Sequence, residues 1–181
     1  MGDDHLRFLK ELDRNDGIDP LPPDWYYLPV EEHMGSEDVI GAQAWPGFTP
    51  DLTRWKLWVS DSGWLSVLVT HCRPYEKVLQ KYELARHRIG TAEVRRLQHF
   101  ADSIGFPHLA PTYDLDITDG STETIVVRRE SQLKRVMCSG NEPTGFRAFW
   151  RRIHRHAPVV GRYMPWWARG WCGRLFDSGR S

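Results

Sequence analysis

Arg54-Trp55-Lys56-Leu57-Trp58-Val59-Ser60-Asp61-Ser62-Gly63-Trp64-Leu65-Ser66-Val67-Leu68-Val69-Thr70-His71 is the stretch on which the reading of this chain turns. Both halves are rich in aromatic and branched aliphatic residues, and Asp61-Ser62-Gly63 separates them with a glycine where a three-residue hairpin loop wants a left-handed residue. The stretch therefore predicts two antiparallel strands, Arg54 to Ser60 and Trp64 to His71. Successive side chains of a strand face opposite ways, so Trp55, Leu57 and Val59 share one face of the first strand, and Lys56 and Trp58 share the other.

Downstream, Lys77 to Ile89 reads either as a strand or as a helix, and the alternation in Tyr82-Glu83-Leu84-Ala85-Arg86-His87-Arg88 favours a strand. Residues 92–104 give the clearest helix, with Val94, Leu97, Ala101 and Ile104 on one stripe and Phe100 beside them. Thr91 suits the N-cap, Glu93 the first turn, and Gly105 before Pro107 the stop. Thr122 to Arg129 and Gln132 to Cys138 predict a second hairpin around a polar turn at Glu130-Ser131, with Ile125 and Val127 on one face. Residues 145–156 then form an amphipathic helix with Phe146, Phe149, Trp150 and Ile153 at i, i+3, i+4 and i+7, ending before Pro158.

Upstream, Leu6, Phe8, Leu9 and Leu12 fit a short helix. From Asn15 to Asp51 prolines and glycines are dense, so little regular structure is expected there, yet Trp25, Tyr26, Tyr27, Trp45 and Phe48 predict a segment that wraps the core. The whole reads as a single α+β domain over residues 1–181. It has an acidic N-terminal helix and wrapping segment at 1–53, an α+β core at 54–156, and an aromatic basic tail at 157–181. The expected sheet is mainly antiparallel, built from hairpins, with two or three helices packed on one face.

The block from Arg88 to His156 carries Gly90-Thr91-Ala92-Glu93-Val94, Gly105-Phe106, Tyr113-Asp114 and Thr118-Asp119-Gly120. It continues with Thr124-Ile125-Val126-Val127, Lys134-Arg135-Val136 and Pro143 before a Trp-containing helix. In layout and turn chemistry this block resembles a group of uncharacterised small bacterial α+β domains, whose Gly/Cys/Pro-rich strand start is absent upstream here. The resemblance implies a fold and no activity.

The 181 residues are 40% hydrophobic and 27% charged, which excludes a disordered or a membrane-spanning composition. The net charge of zero hides a polarity: 12 acidic against 3 basic residues at 1–53, and 8 arginines against Asp177 alone at 145–181. Either the two ends neutralise each other within the fold, or one of them meets an oppositely charged partner. Three widely spaced cysteines without a CxxC pair point to a reducing compartment rather than a disulfide framework. With neither a basic n-region nor an apolar h-region at the start, a cytoplasmic location is expected.

No local motif demands a particular chemistry. The acidic run Asp114, Asp116, Asp119 and Gly120 lacks the spacing of a calcium loop and reads as an Asp-Gly turn. His154 and His156 would splay apart on a helix, and read better, with Arg151, Arg152 and Arg155, as cations at the negative end of its dipole. Cys72 beside His71 on a strand faces away from it. No metal ligand set, cofactor or catalytic residue is assigned. The tail concentrates tryptophan and arginine, and Trp166, Trp167, Trp171, Arg162, Arg169 and Arg174 are the candidate partner-binding residues. Alternatively, these tryptophans fold back and complete the core. The leading expectation is a non-catalytic interaction protein that engages a protein partner or itself, of a regulatory or inhibitor and immunity type. The alternatives are a binder of nucleic acid or of an anionic membrane through the basic tail, and an enzyme whose site assembles from distant residues.

Overall fold

The computed structural model describes residues 28–45, 52–72, 79–114 and 121–157. Its strands are β1 (Asp38–Trp45), β2 (Leu52–Ser60), β3 (Trp64–Cys72), β4 (Leu79–Arg88), β5 (Thr112–Asp114), β6 (Thr122–Arg129) and β7 (Gln132–Ser139). Two α-helices accompany them, α1 (Thr91–Ser103) and α2 (Phe146–His154). The strands form a single sheet in the order β4-β3-β2-β1-β6-β7-β5, antiparallel throughout except for the parallel pair β5–β7 at one edge. The α+β class and the mostly antiparallel sheet are as expected, as are both hairpins and a strand at Leu79–Arg88.

One strand lies where little regular structure was expected. β1 falls inside the proline-rich segment, yet it occupies the middle of the sheet, paired with β2 on one side and β6 on the other. Gly41 and two alanines give it weak strand propensity, and it is the pairing on both edges that fixes it. Ile40, Ala42 and Ala44 still alternate onto the helix-covered face.

That face and the two helices form the main core. Trp55, Leu57 and Val59 of β2 meet Val94, Leu97 and Ala101 of α1 and Phe146, Phe149, Trp150 and Ile153 of α2, all buried. The stripes read from spacing are the stripes that pack. Helix α1 is entered differently from expectation: Gly90, at φ 87°, is the N-cap, and Thr91 is the first helical residue. The reason lies in the first hairpin loop, where the Gly63 carbonyl accepts the N–H groups of Ile89 (2.9 Å) and Gly90 (3.2 Å). This pulls the chain into a conformation that glycine adopts without strain. The contact is so close that a Cβ on Gly63 would lie 2.5 Å from the Gly90 carbonyl carbon.

The short N-terminal helix expected at His5 to Leu12, the Asp116 and Asp119 turn, and the aromatic tail beyond Ala157 lie outside the described residues. No helix among the described residues is long and apolar enough to cross a membrane.

Candidate functional site

The sheet face opposite the helices carries the unusual chemistry. A cross-strand row runs Leu84, Leu68, Lys56, Gln43 and Thr124, and the next runs Arg86, Ser66, Trp58, Gly41 and Val126. Read as a sequence, this face is polar, yet Lys56 is only 2% exposed and Gln43 and Thr124 are buried with it. The cover is the 3-10 turn Val30–His33. Val30 and Met34 pack on Trp58, Leu68 and Val126, and Gly41 leaves the room they use, since a Cβ there would lie 2.6 Å from the Met34 sulfur. Gln43 Oε1 accepts the Val30 N–H at 2.7 Å, and Lys56 Nζ stands 2.9 Å from His33 Nε2. Burial, with the Arg54 charge adding to it, pulls the Lys56 amine down to about 7. The ring of His33 in turn stacks on Trp58 with 6.0 Å between centroids.

On the other side of Trp58 the same face opens into a pocket of about 60 Å³, lined by Glu37, Asp38, Trp58, Ser60, Ser62, Trp64, Ser66 and Arg86. Register explains the gathering. Asp38 pairs with Ser60, Trp58 with Ser66, and Ser66 with Arg86, so the ends of four strands contribute to one concavity. Arg86 lies diagonally across from Trp64 and sets its guanidinium carbon 4.8 Å from the ring centroid, while Trp64 itself is 38% exposed.

Asp38, 4% exposed, takes the Gly35 N–H on Oδ2 at 2.8 Å and makes no hydrogen bond through Oδ1 to a described residue. Burial raises its pKa to about 7 against the Gly35 hydrogen bond, with Glu37 adding to the rise and Arg128 and Arg86 opposing it. Arg128 spends its hydrogen bonds on backbone, the Asp38 carbonyl at 2.9 Å and the Gly35 carbonyl at 3.2 Å, and so clamps the turn that delivers the carboxyl. Ser60 Oγ and Ser62 Oγ stand 2.8 Å apart, and the Trp64 N–H donates to Ser60 Oγ at 3.1 Å. The Ser66 hydroxyl, on a residue 4% exposed, has no hydrogen bond among the described residues.

Elsewhere the titratable groups are committed to holding the fold. His154 does not act as a cation for the helix dipole: it is buried between Trp55, whose Nε1–H donates to Nε2 at 3.1 Å, and the Trp150 carbonyl, 2.9 Å from Nδ1. Burial holds its pKa down at about 4, so the ring is neutral at physiological pH. His156 is lowered too, by burial and by Arg155, with Glu93, 3.1 Å from its Nε2, opposing the shift. Glu93 ties the start of α1 to the end of α2. Burial works against its charge, but hydrogen bonds from Arg96, Arg155 and His156 outweigh that and hold it at about 2. The Cys138 thiol is buried and pushed up to about 12, chiefly by desolvation.

Trp166, Trp167, Trp171, Arg162, Arg169 and Arg174, the residues singled out from the sequence, lie outside the described residues. Of the pocket residues, Trp58 and Trp64 stood out in the sequence only as strand residues. Asp38, Ser66 and Arg86 carried no local signal, because register across β1 to β4 brings them together. Among the described residues no group of three or more His, Cys, Asp or Glu side chains is placed to hold a metal. No protein-family model and no curated protein matches the chain.

Proposed function

We propose that the chain is a non-catalytic binding protein that engages a protein partner through the rim and pocket formed by Trp64, Arg86, Asp38 and Ser66. The supporting observation is the half-exposed Trp64–Arg86 stack at the mouth of a concavity in which Asp38 Oδ1 and the Ser66 hydroxyl have no hydrogen-bond partner among the described residues. Tryptophan and arginine around a small pocket are the side chains that anchor protein interfaces. The groups with displaced pKa values support a binding role in a second way. His154 is locked between two tryptophans, Lys56 sits under the 3-10 turn, and the Cys138 thiol stays protonated at neutral pH, so each serves packing.

The basic surface of α2 favours this reading over nucleic acid. Arg147 pairs with Glu123 and Glu142, Arg155 with Glu93, and Arg152 lies over Phe100, so these cations are already engaged within the fold. The tail residues Trp166, Trp167, Trp171, Arg162, Arg169 and Arg174 join the proposal as a further contact surface, to be tested by ending the chain at Ala157.

The test is capture of partners from the native host with wild-type protein and with Trp64→Ala, at low and high salt. A protein captured by wild type, retained at high salt and lost with Trp64→Ala is the expected result. Equal capture by both proteins refutes the pocket as the interface. Recovery of nucleic acid that disappears steeply with salt instead favours the electrostatic alternative.

A further inference from the structure

The composition of the pocket specifies the kind of group it would take. Its acceptors are Asp38 Oδ1, the Glu37 carboxylate and the hydroxyls of Ser60, Ser62 and Ser66, and its walls are the indoles of Trp58 and Trp64. Two carboxylates and one guanidinium line the pocket; that guanidinium, of Arg86, rests on Trp64 and makes no ion pair among the described residues, and Arg128, outside the lining, also acts on Asp38. Asp38 Oδ1 and the Ser66 hydroxyl have no hydrogen-bond partner among the described residues and neither is sealed from the cavity, so both are open to a donor placed there. The space, about 60 Å³, holds roughly four water-sized groups, which suits the end of an alkylammonium chain.

We propose, resting on the reading of the chain as a protein-binding module, that the pocket receives the primary ammonium of a lysine side chain from the partner. The ammonium has three N–H donors and no acceptor, matching a pocket rich in oxygen acceptors. Asp38 and Ser66 accept from it at the pocket floor, and the Trp64 ring covers the aliphatic stem, as tryptophan does at cation sites. The groups facing Asp38 are Glu37 from its own turn, Arg86 from β4 and Arg128 from β6. Neither arginine makes an ion pair with the Asp38 carboxyl: Arg128 is bonded to the Asp38 and Gly35 carbonyls and Arg86 lies over Trp64, so the incoming ammonium supplies the direct positive contact. Arg86 opposes the ligand as a like charge and so limits affinity.

The test uses n-butylammonium chloride as the probe and the full chain as the receptor, followed by the NMR shift of the Trp64 indole N–H. The expected result is a saturable shift that weakens at least tenfold in Asp38→Asn and in Ser66→Ala, strengthens in Arg86→Gln, and falls away as the pH is lowered from 8 to 5. A saturable shift with sodium acetate that Arg86→Gln abolishes would overturn the proposal in favour of an anion site. No saturable shift with butylammonium in either wild type or Arg86→Gln overturns it as well. Thermal melts of each variant, overlaid with wild type, show that the fold is kept, and Arg86→Gln tests the proposal by a gain that misfolding cannot imitate. Failure here is separable from failure of the broader reading. A partner that Trp64→Ala loses but Asp38→Asn retains leaves the interface standing and removes the lysine; butylammonium binding without any captured partner does the reverse.

Discussion

Replacing Asp38 with asparagine should change stability by an amount that depends on pH in a calculable way. The carboxyl has a folded pKa of about 7 against an ordinary 3.8, so the folded state binds its proton more tightly than the unfolded state. Its contribution is therefore fully present below 3.8 and is lost as the pH rises through 7. At about 1.4 kcal/mol for each unit of displacement, the loss between those limits is about 4 kcal/mol. Asparagine can accept the Gly35 N–H with its side-chain oxygen and carries no charge to desolvate, so the variant escapes the loss. The total stability curve of the protein would hide the effect, because His154, held near 4, gains over much of the same range by the opposite sign. The quantity to measure is accordingly the difference between Asp38→Asn and wild type, from urea denaturation at pH 4, 5.5, 7 and 8. The variant should gain about 4 kcal/mol relative to wild type across that series. A difference that stays constant within about 1 kcal/mol would show that Asp38 is paired or hydrated in solution, and would refute the reading of it as an uncompensated buried carboxyl.

Three further outcomes follow from the packing. Leu97→Ala, at a fully buried position on α1, should cost roughly 2 to 5 kcal/mol in denaturant unfolding. Gly63→Ala should cost more than about 2 kcal/mol, measured the same way, because the new Cβ meets the Gly90 backbone and φ at Gly63 is 89°. Glu93→Gln should destabilise by about 1 to 3 kcal/mol at pH 7, since it weakens charge-assisted bonds to Arg96, Arg155 and His156. That cost should fade as the pH drops from 4.5 through about 2, where the wild-type carboxyl is itself protonated.

The helical layer and the two hairpins were legible because their signals are local. Val94, Leu97 and Ala101 recur at helical spacing, and Gly63 and the Glu130-Ser131 turn mark reversals whose strands lie on either side. β1 was not legible, because its sequence, Asp38-Val39-Ile40-Gly41-Ala42-Gln43-Ala44-Trp45, has little β-propensity at its centre and sits among prolines. Gly41 is unfavourable for a strand taken alone and necessary once Met34 and Val30 pack against it. His154 misled for a related reason. A histidine at a helix C-terminus reads as a dipole cation unless one knows that Trp55, 99 residues away in sequence, points its indole N–H at the ring.

The pocket poses the same problem in a sharper form. Period-two alternation sorts Lys56 and Trp58 onto one face of β2 and Ser66 onto the corresponding face of β3, but it says nothing about whether that face meets water. Here the answer depends on a four-residue turn, Val30–His33, that covers the Lys56 side and stops short of the Ser66 side. Under the turn, Lys56 Nζ and His33 Nε2 stand 2.9 Å apart, both buried within the fold. Beyond it, Asp38 and Ser66 are buried by the strands around them with room left in front. Which of the two polar clusters on one sheet opens onto a cavity is thus set by where the cover ends, a property of tertiary packing that neither cluster's own sequence contains.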